Sequence, residues 1–185
     1  MKKLMVLAVA ALLCGLMVPA TGGAVDLIAD GRGTHFDAGD VTFSSDGSGL
    51  TVTVTAAAPW CFKDVHIDVQ TDPGSFPKVG KGNPKLGAFA YKQDFDFAGL
   101  AVTTTASAFF PGVTTGIFVV AVHAGIVDKS KADPTGVGEV TVDVNGDTIL
   151  DAADYTYESA WIDGLPFGGK NWAMYYQITL PVPAP

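Results

Sequence analysis

Between positions 143 and 154 the chain reads D-V-N-G-D-T-I-L-D-A-A-D. Oxygen-bearing side chains fall at the first, third, fifth, ninth and twelfth places of this stretch: Asp143, Asn145, Asp147, Asp151 and Asp154. A hard divalent cation needs about six to eight oxygens, and side chains at the first, third and fifth places converge on one point when the backbone wraps tightly. Ile149, at the seventh place, loses nothing by being apolar, because that position offers its carbonyl. The ninth ligand often acts through water, and the twelfth closes the site with a carboxylate. Four carboxylates packed this closely repel one another unless something positive lies between them. The plain alternative is a solvated Asp/Asn/Gly turn; five ligands in register favour bound Ca²⁺.

The loop departs from the EF-hand in one respect. The EF-hand glycine sits at the sixth place, whereas here Gly146 is fourth and Thr148 is sixth. The Asp-x-Asn-Gly-Asp opening, with Asp rather than Glu at the close, resembles the calcium loop of dockerins from secreted bacterial proteins. Dockerins pair two such loops, each followed by a longer helix. This chain has a single loop, and "AADYTYESAW" (152–161) has room for a turn or two of helix. The resemblance therefore implies calcium and not a dockerin–cohesin partnership.

Other residues with chemical potential are scattered. His66 shares a strand face with Asp64 and Asp68, neighbours at about 7 Å spacing, and two or three of these groups could grip a transition metal. An exposed polar stripe is the simpler expectation. His123 lies on the same face as Ile117, Val119 and Ala121 of an apolar strand, where a satisfied core histidine is more common than a ligand. No nucleophile elbow, zinc-protease helix motif or phosphate loop occurs. Glu139 and Glu158 are the sole glutamates, and neither sits in a recognisable glycosidase context. No catalytic and no organic-cofactor residues are assigned, and a non-enzymatic protein is expected. Of the C-terminal aromatics, Trp161 and Tyr175 are the two that could stack on a ligand such as a glycan. Cys61, in Trp60-Cys61-Phe62, reads as a buried, inert thiol.

The elements that must carry these residues have a period of two. "VTFSSDGSGLTVTVTA" (41–56) predicts a hairpin, with Leu50, Val52 and Val54 alternating against threonines on its second strand. In "KDVHIDVQT" (63–71), Val65, Ile67 and Val69 take one face, while Asp64, His66 and Asp68 take the other and should face water. "DPGSFPKVGKGNPKLG" (72–87) is a connection. Strands are then predicted in "AFAYKQDFDF" (88–97), "LAVTTTASAFF" (100–110), "GIFVVAVHAGIV" (116–127), "GEVTVDV" (138–144) and "NWAMYYQITLPV" (171–182). The run at 116–127 is apolar on both faces and reads as a central strand. Many short strands and almost no helical period predict one all-β domain, an antiparallel β-sandwich over residues 25–182, followed by a Pro-rich tail at 183–185.

The N-terminus sets the expected compartment. Lys2 and Lys3 precede an apolar run from Leu4 to Val18 that is too short to span a bilayer, and Gly22-Gly23-Ala24 suits cleavage. Residues 1–24 are thus expected to be a signal peptide, with no transmembrane segment in the mature chain. Cleavage removes two positive charges from a chain already at −8, and all but two of its 19 acids are Asp. Such a surface repels nucleic acid and anionic lipid. Cleavage discards Cys14, so no intrachain disulfide is expected and stability rests on core burial and metal.

The segments "VTFSSDGSGLTVTVTAAAPW", "GNPKLGAFAY", "VVAVHA" and "ESAWIDGLPFGGKNWAMYYQIT" together resemble a recurring module of secreted bacterial and archaeal surface proteins. That resemblance implies an extracellular or cell-surface setting and carries no site residues with it. The expected function is a structural or adhesive module stabilised by calcium, partnered by copies of itself or by cell-surface and matrix polymers including glycans. Carbohydrate binding is the alternative.

Overall fold

A computed structural model describes residues 20–21, 23–31, 34–80, 82–95, 103–128, 157–169 and 171–181. The six expected calcium ligands, Asp143, Asn145, Asp147, Ile149, Asp151 and Asp154, lie outside the described residues. So do most of the signal segment, the strand expected at 138–144 and the tail.

Strand dominates the described residues. In chain order these are β1 (Ala20–Thr21), β2 (Val25–Gly31), β3 (Thr34–Ser45), β4 (Gly49–Ala56), β5 (Trp60–Gln70), β6 (Lys78–Val79) and β7 (Asn83–Pro84). There follow a 3₁₀ turn at Leu86–Ala88, β8 (Tyr91–Asp94), β9 (Thr105–Pro111), β10 (Gly116–Asp128), β11 (Tyr157–Ile162), β12 (Leu165–Pro166) and β13 (Met174–Leu180). No helix among them is long and apolar enough to cross a membrane.

The hairpin expected at 41–56 forms from β3 and β4, with Phe43 opposite Val52 and Val41 opposite Val54. Its turn is set by Asp46, whose Oδ1 accepts from the Ser48 amide (2.9 Å) and the Ser48 hydroxyl (2.7 Å). Gly47 supplies the positive φ of 82° that the reversal needs.

β10 organises everything else. One of its edges carries β5 along its length, from Val119↔Gln70 to Asp128↔Trp60. Its other edge is shared by two strands in succession, β13 against residues 116–120 and β11 against 123–127. From β11 the sheet continues through β2, β3 and β4 to β9. The residues leading into β9 then reach back to the start of β5, where the Phe62 amide donates to the Thr103 carbonyl at 2.8 Å. Every strand pairing is antiparallel, and the path forms one sheet that nearly closes on itself. Closure of this kind leaves little exposed edge.

The inner face holds the main core: Leu27, Val41, Leu50, Val52, Val54, Phe62, Val65, Ile67, Val122 and Ile126 are fully buried. A second, smaller core lies on the outer face of β10 and β11, where Phe76, Phe89, Val119, Ala121, Trp161 and Ala173 pack together. The connection after β5 folds back to supply Phe76 and Phe89. This corrects the strand expected from residue 88. Ala88 ends a 3₁₀ turn, Phe89 is buried in the second core, and strand begins only at Tyr91.

Candidate metal centre

Asp64, His66 and Asp68 alternate outward on β5, as period two requires. Register then decides their neighbours. His66 stands directly opposite His123 on β10, Asp64 opposite Gly125, and Asp68 opposite Ala121. On the far side of β10, His123 is opposite Trp161 of β11. One row of the outer face thus reads Trp161, His123, His66 and then Lys92 of β8.

A β-bulge sharpens the arrangement. Ile126 pairs with Phe62 while Gly125 pairs with Asp64, so Lys63 is the extra residue beside the cluster. Bulges re-aim side chains in this way. Gly125 has a second role. A Cβ built on it would come 2.8 Å from Asp64 Oδ2 and 3.1 Å from Asp64 Cγ. Without a side chain at this position the carboxylate can lie over the β10 backbone, where Oδ1 accepts from the Gly125 amide at 3.2 Å.

The three side chains converge. His66 Nε2 is 3.3 Å and His123 Nδ1 3.8 Å from Asp64 Oδ1. One ligand-capable atom from each residue lies within 4.8 Å of the others, so the group can hold a metal ion. His123 is oriented from behind, its Nε2 lying 2.9 Å from the Ser159 hydroxyl. Its ring also meets Trp161 edge-on, with centroids 4.9 Å apart. His123 Nδ1 and His66 Nδ1 are both buried with no hydrogen-bond partner. Such orphaned groups cost about 1–3 kcal/mol each, and native interiors keep few of them.

Electrostatics favour the ligand-competent forms. Burial pushes His123 down to about 4, against the opposing pull of Asp64, so the ring is neutral near pH 7. Burial pushes Asp64 up, but the His66 hydrogen bond, the two imidazoles and the Gly125 amide outweigh it, and its carboxyl stays below the usual range. Asp68 does not join the cluster. It is buried, it accepts from the Gln70 side chain (3.1 Å) and the Val69 amide (3.0 Å), and burial raises its pKa.

Two sequence expectations change here. The Asp64/His66/Asp68 stripe does not simply face water, because Asp68 is 3 % exposed and the side chains of Asp64 and His66 are below one-fifth exposed. Asp68 stands opposite Ala121 of the second core, and Asp64 and His66 pack against each other and against His123. Trp161 is 4 % exposed and presents no open face for a sugar ring, while Tyr175 is half-buried with its ring 5.1 Å from that of Phe167. Cys61 is buried as expected, its thiol 3.6 Å from the Val127 carbonyl.

Sequence reasoning identified His66 and Asp64 but did not join His123 to them. A usable signal was Gly125, an isolated glycine in an apolar strand, which marks close approach by another group. Comparison with family models, curated proteins and solved structures yields no match, so the centre stands on its own geometry.

Proposed function

We propose that this chain is a non-enzymatic extracellular module, structural or adhesive in role, that calcium rigidifies. The single observation that carries the reading is the ligand spacing at Asp143, Asn145, Asp147, Ile149, Asp151 and Asp154. The strands on either side of the loop add support. The connection 129–156 leaves the end of β10 and returns at the start of β11, and Val127 pairs with Tyr157 at its root. A cation bound there stiffens a connection whose two ends are already neighbours in the sheet. Metal ordering of connections on an all-β frame suits a protein that presents a fixed surface outside the cell. The lysine-led apolar N-terminus and the acidic composition agree with export.

The test is a paired screen for self-association and for glycan binding, each with and without calcium. Calcium-dependent self-association without glycan binding supports the proposal. Glycan binding that is lost in Tyr175→Ala would instead favour a carbohydrate-binding module, and indifference of both assays to calcium would remove the calcium role.

A further inference from the structure

We propose that Asp64, His66 and His123 form a second metal site, selective for a divalent transition ion of the zinc class and chemically distinct from the calcium loop. Two imidazoles and one carboxylate make a borderline ligand set. Calcium and magnesium prefer all-oxygen shells, whereas imidazole suits zinc, copper and nickel.

Two of the three separations come close to those such an ion needs, and the three ligand atoms together lie within 4.8 Å, so small side-chain adjustments close the set around a metal. Zinc bonds of about 2.0–2.1 Å at tetrahedral angles put ligand atoms about 3.3–3.4 Å apart. His66 Nε2 is already 3.3 Å from Asp64 Oδ1, and His123 Nδ1 is 3.8 Å from it. A hydrogen bond between His66 and Asp64 explains the first separation without a metal. It does not explain His123, whose side chain is 9 % exposed and whose Nδ1 has no hydrogen-bond partner beside that same carboxylate.

The surroundings are those of a prepared ligand set. Ser159 holds the other nitrogen of His123, as hydrogen-bond partners behind metal-bound histidines do. Gly125 leaves the space that the Asp64 carboxylate occupies. Lys92, the cation opposite His66, is drawn off by the Gly87 carbonyl, to which its Nζ donates at 3.0 Å. Asp64 and His66 keep partial exposure, so an ion can reach the site from solvent. Three protein ligands leave a fourth position for water, and the ion would tie β5 to β10.

The experiment titrates Zn²⁺ into the metal-stripped full chain in buffer saturated with calcium, which occupies the oxygen-rich loop. One equivalent should bind, and the ring nitrogen resonances of His66 and His123 should shift while those of His35 do not. Co²⁺ should give the visible spectrum of a four-coordinate site. Asp64→Asn and His66→Gln should each abolish this binding. Gly125→Ala should weaken it although all three ligands remain, and His35→Gln should leave it intact. The proposal is overturned if wild-type protein binds no zinc under these conditions, or if zinc leaves the His66 and His123 resonances in place. Full binding retained by both ligand variants overturns it as well. The resonance measurement uses wild-type protein, so it decides the matter even if a variant fails to fold.

Discussion

Replacing Ser159 with Ala removes one oxygen atom from behind His123 and leaves the packing otherwise alone. The hydroxyl lies 2.9 Å from His123 Nε2, and the opposite nitrogen, Nδ1, has no hydrogen-bond partner. Ser159→Ala therefore leaves a buried ring with neither nitrogen paired. The bond itself is worth about 0.5–1.5 kcal/mol net, whereas stranding a buried polar atom costs about 1–3 kcal/mol. The second figure governs, because alanine offers no replacement and His123 is only 7 % exposed. In a domain of this size each kcal/mol moves Tm by about 2–4 °C, so the variant should melt several degrees lower. The assay is paired thermal unfolding near pH 7, well above the value of about 4 to which burial holds His123, so the neutral ring is compared in both proteins. Zinc titration gives a second readout, since loss of such an outer partner weakens metal binding about 10–100-fold. Ser159→Thr keeps a hydroxyl and should recover most of both effects. Unchanged Tm together with unchanged zinc affinity in Ser159→Ala would refute the view that this hydroxyl positions the ring.

Two further outcomes follow from the frame. Phe62 is fully buried in the main core, so Phe62→Ala should cost about 3–5 kcal/mol in urea unfolding. Phe109, 51 % exposed, should tolerate alanine with little change, and a comparable loss there would mean that the core is misplaced. At the β3–β4 turn, the Ser48 hydroxyl and amide hold the Asp46 carboxyl below its usual range. A depressed folded pKa contributes stability that is present above the unfolded value of 3.8 and is lost as pH falls through the folded one. Protection of the Ser48 and Gly49 amides, taken relative to their intrinsic exchange rates, should therefore hold through pH 5 and fall only in stronger acid. Asp46→Asn should remove that acid step.

Much of the frame was legible because period two survives in single strands. The alternation of Thr and Val in β4, the two-sided apolar run of β10 and the Asp-Gly-Ser-Gly turn all rest on local chemistry, and all three appear in the structure. The outward direction of His66 follows from the same period, and so does the placing of His123 on one face with Ile117, Val119 and Ala121, where it reads as a core histidine. Their meeting does not, because it depends on which strand pairs with which and in what register, and that is decided by contacts far apart in the chain. The covering of Trp161 was hidden for a related reason. Phe76 lies in a Pro/Gly/Lys-rich connection with no period and Phe89 just past it, and nothing local says that they fold back against Trp161. Trp161 misled for the same cause: an aromatic near a chain end looks available until the layer above it is known.

The most direct test of calcium as the rigidifying ion is differential scanning calorimetry of wild type and Asp147→Ala, each in EDTA and in millimolar calcium. Binding to the native state alone adds RT ln(1 + [Ca²⁺]/Kd), about 2.7 kcal/mol at a hundredfold excess over Kd. Wild-type protein should melt higher in calcium, magnesium should substitute poorly because it gives up its waters reluctantly, and Asp147→Ala should show no shift. Asp68→Ala, whose carboxylate lies in the β5 layer, should still show the calcium shift from its own baseline. Identical wild-type melting temperatures in EDTA and calcium would contradict the stabilising role.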